Sequence, residues 1–165
     1  MKLINTANGQ FIDDINKLLE PVVSMARHPK EEWSAYGGAE GGVRVYRIKE
    51  NQERTAANND VNLVREFERQ PGVVHAVEWS PDGSLLAVGT TTGEVRLYQS
   101  SDGKRTRTLS GNGGAIFSIA FSPDGKRVAA AGFEGLIRIF DPASGELLAI
   151  FTPVPAGASR QVASK

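Results

Sequence analysis

Residues 79–98 read WSPDGSLLAVGTTTGEVRLY, and residues 121–140 read FSPDGKRVAAAGFEGLIRIF. Such a repeat constrains the fold more than any single residue does, because each copy must be one structural unit that leans on the next. Pro81 and Pro123, Gly93 and Gly135, and Tyr98 and Phe140 are all 42 residues apart. A third, more worn copy occupies residues 22–46, where Pro29 precedes Pro81 and Tyr46 precedes Tyr98 by 52. The additional residues follow Tyr46, in the polar run RIKENQERTAANNDVN, which reads as a protruding loop over residues 49–62.

Each copy is built of strands. In FSIAFSPDG, apolar Phe117, Ile119 and Phe121 alternate with small Ser118 and Ala120, the period of two of a strand. SPDG then supplies a proline to set the first corner of a tight turn and a glycine able to take positive φ. RVAAAGF, LIRIF and ELLAIF give three further strands, separated by FEG and DPASG. Four short antiparallel strands make one small sheet whose two faces both want cover. Stacking such sheets around an axis provides it, so the expected fold class is all-β, a β-propeller with blades of four antiparallel strands. A leucine-rich or helical solenoid would need helical periods that the sequence lacks.

The segments SGNGGAIFSIAFSPDGKRVAAAGFEGLIRIFD (110–141) and RQPGVVHAVEWSPDGSLLAVGTTTGEVRLYQ (69–99) resemble the WD-repeat β-propeller family. The resemblance covers roughly residues 20–152 and implies a rigid disc that binds proteins or peptides on its rims. It has departures. The family's His before the first strand falls on Gln70 and Asn112, and its turn Asp on Glu40, Thr92 and Glu134. Its Trp falls on Tyr46, Tyr98 and Phe140, and its second-strand Ser or Thr on Val88 and Ala130. The His-Ser-Asp-Trp network of many family members is thus expected to be missing, with more weight on apolar packing.

Blade boundaries follow. Residues 1–19 are expected to supply an outer strand to a preceding blade; 20–71 form the divergent blade, 72–110 and 111–152 the regular ones, and 153–165 a linker-like tail. Three blades do not close a ring, since propellers need four to eight. The two end blades should then expose apolar faces. The chain is expected to be a fragment of a larger, seven-bladed propeller, with self-assembly of copies as the other route to closure. A softer likeness to divergent bacterial propellers suggests an alternative setting, a multidomain exported redox protein with cytochrome c-like modules encoded elsewhere. The compartment stays open.

The chemistry offered is sparse. The 19 basic residues balance the 19 acidic ones, which argues against a nucleic-acid surface. There is no cysteine, and no window approaches the length of a membrane span. No metal set, cofactor motif or catalytic triad is recognisable, and the glycines of YGGAEGG (36–42) lack the context of a phosphate loop. His28 and His75 read as surface or strand histidines. Asp82 and Asp124 recur in the SPDG turns and read as turn formers before they read as a catalytic pair. Glu78, on a first strand, is placed to line a central channel. Arg44, Arg96 and Arg138 share one repeat position and should lie flat on the sheet beside a carboxylate. Phe133 stands in a turn, where packing on its own blade competes with anchoring a partner. The expected function is a non-catalytic scaffold for protein–protein interaction, without cofactor. Its partner contacts are expected among Phe133, Glu134, Thr91, Thr92, Asp82, Asp124 and Glu78.

Overall fold

The computed structural model describes residues 2–4, 11–14, 20–48 and 62–153. Most of the 49–62 insertion and the tail from 154 onward lie outside the described residues. All described regular structure is β. Strands β1 (Lys2–Ile4) and β2 (Phe11–Asp14) pair antiparallel, so the segment expected as an outer strand belongs to a two-stranded sheet. Three four-stranded sheets follow. The first holds β3 (Val22–Arg27), β4 (Trp33–Gly38), β5 (Val43–Arg47) and β6 (Leu63–Glu66). The second holds β7 (Val74–Trp79), β8 (Leu85–Thr90), β9 (Val95–Gln99) and β10 (Arg105–Leu109), and the third β11 (Ile116–Phe121), β12 (Val128–Gly132), β13 (Ile137–Phe140) and β14 (Leu147–Phe151). Within each sheet the strands lie in chain order and pair antiparallel. The first strands β3, β7 and β11 lie beside one another, which is how blades radiate from a propeller axis.

The turns obey the chemistry of their residues. Gly83 N donates to Ser80 O at 2.8 Å, and Gly125 N to Ser122 O at 2.8 Å, closing turns with Pro at the first corner. Gly83 then adopts φ of +76°, a conformation disfavoured for side-chain-bearing residues.

Alternation along the strands gives each blade two apolar faces. In the middle blade, Leu86, Val88 and Tyr98 face the first blade, joining Ala35, Val43, Val45 and Phe67. Ala87, Val95, Leu97 and Leu109 face the third, meeting Ile116, Ile119, Val128 and Phe140. The two larger apolar clusters among the described residues are therefore inter-blade layers.

The end blades differ from expectation in one respect. Tyr36 and Tyr46, on the first blade's opposite face, are almost fully buried, so that face is covered. The third blade does leave its outer side open, with Leu147, Leu148, Ile150 and Phe151 exposed.

Candidate functional site

The turns gather at two rims, at opposite ends of the strands. One rim carries the SPDG hairpins and the β13–β14 turn. There Ser80, Pro81, Asp82, Leu85, Pro123 and Asp124 line a groove of about 470 Å³ between the middle and third blades. The structure thus brings Asp82 and Asp124 to one surface, but their carboxylates are engaged. Asp82 Oδ1 accepts from Ser80 Oγ at 2.6 Å and from Ser84 N at 3.1 Å, and Oδ2 from Ser84 Oγ at 2.8 Å. Asp124 Oδ1 accepts from Ser122 Oγ at 2.6 Å and Lys126 N at 3.0 Å. These bonds favour the charged form, and the Ser80 hydroxyl and the Ser84 donors hold the Asp82 carboxyl down at about 2. Both aspartates are turn formers.

A pH dependence follows. A carboxyl depressed in the folded state stabilises above its unfolded pKa and loses that contribution as pH falls through the folded value. Melting temperature should therefore drop between pH 4 and pH 2 more steeply in the natural chain than in Asp82→Asn. Because Asp82 is exposed, screening limits the term to about 1 kcal/mol. Thermal melts at pH 5, 3.5 and 2.5 read the difference as a few degrees. Parallel slopes for the two proteins would remove Asp82 from the account.

The other rim carries Thr90–Gly93, Gly132–Gly135 and the segments leading into β7 and β11. Thr91 and Thr92 are exposed here, as is Glu134, whose Oε2 lies 2.6 Å from Arg138 Nη1. The Gly113 N–H and then Arg138 hold the Glu134 carboxyl below its ordinary value. Phe133 is 77% exposed, so packing on its own blade does not hide it. Its backbone N–H donates to Ala115 O at 2.9 Å, which fixes the turn against the start of β11. Glu78 lies apart from both groups, half-buried on β7 opposite Ala87, and burial pushes its carboxyl up.

The three arginines pair with carboxylates, as their position suggested. Arg44 Nη2 lies 2.7 Å from Glu66, Arg96 Nη2 lies 2.9 Å from Glu94, and Arg138 pairs with Glu134. The polar network expected to be missing is rebuilt from other groups. Gln70 Nε2 donates to Tyr98 Oη at 2.9 Å, and Tyr98 Oη donates to Glu68 Oε1 at 2.8 Å. An amide and a phenol thus bond across the positions where the family has imidazole and indole. Burial, before any partner, pushes the Tyr98 phenol up to about 12. In the third blade Asn112 Nδ2 donates to Gly93 O at 3.0 Å and Arg138 Nη1 donates to Asn112 Oδ1 at 3.3 Å, latching the third blade to the second.

Two features escaped the sequence reading. His28 is buried, not a surface residue, wedged edge-on between Trp33 and Trp79 with ring centroids 5.3 and 4.6 Å away. Its Nδ1 accepts from Lys30 N at 3.2 Å and Glu31 N at 2.9 Å, which assigns the ring hydrogen to Nε2, the donor to Gly83 O at 3.1 Å. The second feature is a bulge. In β3, β7 and β11 the register slips at Val23, His75 and Phe117, which share one repeat position. Bulges re-aim side chains. Val23 and Phe117 are exposed, and the His75 and Phe117 rings meet edge to face at 5.2 Å.

The model of the nucleolar protein 10-like N-terminal domain, a β-propeller, matches residues 1–162. The chain belongs to that family. Curated relatives are WD-repeat serine-threonine kinase receptor-associated proteins. The chicken protein is 27% identical over 105 residues, 62% of this chain and 27% of its own length. The human protein is 28% identical over 95 residues, 56% of this chain and 24% of its own. The chain thus spans about a quarter of the length of these relatives. Among solved structures, the computationally designed Ika8 protein superposes with a TM-score of 0.74 at 20% identity, over 92% of this chain and 42% of that one. That likeness carries the propeller fold alone. WD-repeat propellers are in general protein-binding scaffolds without catalysis, and this chain has their architecture.

Proposed function

We propose that this chain is a non-catalytic protein-interaction module whose partner surface is the rim bearing Phe133, Glu134, Thr91 and Thr92. The observation that carries it is a comparison of repeats. Thr91 occupies the position of Phe133 in the middle blade and is exposed although both neighbouring blades are in place. A further blade would therefore leave Phe133 in water too. A phenylalanine held in solvent by a rigid turn is an apolar anchor at low entropic cost. The name of the relatives, receptor-associated protein, describes association with another protein and supports the same class of role. Asp82, with both carboxylate oxygens bonded within its turn, and Asp124, with Oδ1 so bonded, serve the scaffold first, and the redox setting draws no support from these relatives.

Panning a random peptide library against the chain should enrich peptides with an aliphatic or aromatic anchor. Phe133→Ala should weaken their binding about tenfold or more, and Asp124→Ala should leave it unchanged. As a surface change, Phe133→Ala should shift stability by no more than about 0.5 kcal/mol. Equal binding by both variants would move the partner surface elsewhere.

A further inference from the structure

The third blade's open side repeats a face that is covered one blade earlier. Ala87, Val95, Leu97 and Leu109 are buried against the third blade, and their counterparts 42 residues on are Ala129, Ile137, Ile139 and Phe151. Leu109 is 0% exposed and Phe151 is 54% exposed. The difference is one of cover and not of chemistry. The two interfaces already built show what such a face receives: a four-stranded sheet laid flat, led by a β-branched residue at the start of its first strand. Val74 plays this part against the first blade and Ile116 against the second.

Room for that residue comes from a glycine. A Cβ on Gly37 would collide with Val74 Cγ1, and one on Gly89 would stand 2.7 Å from Ile116 Cγ2. The third blade has Ala131 at this position, so the Cβ is already there. A β-branched leader would overpack against it. All three blades of this chain begin their first strand with such a residue, Val22, Val74 or Ile116. A second copy of the chain is therefore a poor occupant through any of its blades, and the first blade's corresponding face is already buried at Tyr36 and Tyr46.

We infer that the open face is the docking surface for a fourth blade of different sequence, one whose first strand starts with Gly, Ala or Ser, and that Ala131 selects for it. The inference stands independently of the Phe133 rim, because it concerns the opposite faces of the sheets and not their ends. Self-stacking of copies, a route to open filaments for head-to-tail contacts, is disfavoured by the same methyl group.

The test appends a copy of residues 111–152 after residue 152, in two versions. In one the position corresponding to Ile116 keeps isoleucine, and in the other it carries alanine. Amide exchange at Leu147–Phe151 and binding of an apolar dye report cover of the face. The alanine version should slow exchange about tenfold or more and reduce dye binding, while the isoleucine version should do neither. Ala131→Gly in the original blade should restore cover by the isoleucine version, and Ala131→Gly without an appended blade controls for folding. Equal cover by both versions would overturn the selection by Ala131. Cover by neither would overturn the docking of a blade. Sedimentation of the unextended chain as a dimer with Leu147–Phe151 protected would assign the face to a second copy instead. Loss of protection on deleting residues 154–165 would assign it to the tail.

Discussion

Trp79→Ala should cost about 4 kcal/mol, within the range for removing a buried tryptophan. Trp79 is 5% exposed and belongs to the layer between the first two blades. Its indole Nε1 donates across that layer to Ala26 O at 3.2 Å. Its ring also holds the edge of His28, which in turn caps two backbone N–H groups and donates to Gly83 O. Truncation removes apolar cover, one inter-blade hydrogen bond and the wall that keeps His28 in place. Domains of this size have only about 5–15 kcal/mol to lose. Urea unfolding should show a lower midpoint, and amide exchange should accelerate first in β3–β6. Because the two rings act together, His28→Ala and Trp79→Ala combined should cost less than the sum of the single changes, by about 1 kcal/mol or more. Strict additivity would mean that the cluster is two separate contacts.

What the sequence made legible was whatever repeats at a fixed interval. The strands, the SPDG turns, the carboxylate-paired arginines and the apolar layers are local patterns, and their recurrence at 42 residues multiplies a weak signal. His28 was illegible because its burial depends on Trp79 and on Gly83, 55 residues away on another blade, while its own surroundings, HPKEE, are polar. Gln70 and Tyr98 stood at the positions of a known network, yet comparing residue types suggested loss where geometry shows replacement: an amide, a phenol and the Glu68 carboxylate bond one another there. The bulges at Val23, His75 and Phe117 leave no local mark, since one inserted residue shifts alternation without changing composition. Phe133 could be placed in a turn from sequence, but the 77% exposure of its ring has no local mark in the residues around it.

Gly93→Ala should be nearly as damaging as the tryptophan change, and its repeat partner should not be. Gly93 has φ of +81°, which costs a side-chain-bearing residue about 1–2 kcal/mol. A Cβ there would stand 2.5 Å from Asn112 O and 2.9 Å from Gly114 O, both backbone atoms of the segment leading into the third blade. Backbone gives way less readily than the end of a side chain, so overpacking adds about 1–3 kcal/mol. The Asn112 side-chain bond to Gly93 O would be displaced with it, at about 1 kcal/mol. The total is about 4 kcal/mol. Gly135 sits 42 residues later with φ of +71°, and a Cβ on it would meet nothing within 4 Å. Gly135→Ala should therefore pay the conformational cost alone, about 1–2 kcal/mol. Denaturant midpoints for the two variants, at unchanged slope, isolate the contribution of the neighbouring blade at Gly93. If a fourth blade covers the third as inferred above, its leading segment should crowd Gly135 in the same way. Gly135→Ala should then become as costly as Gly93→Ala in the version extended with the alanine-led blade. An unchanged, small effect of Gly135→Ala in that extended protein would show that the added blade does not dock as the first three do.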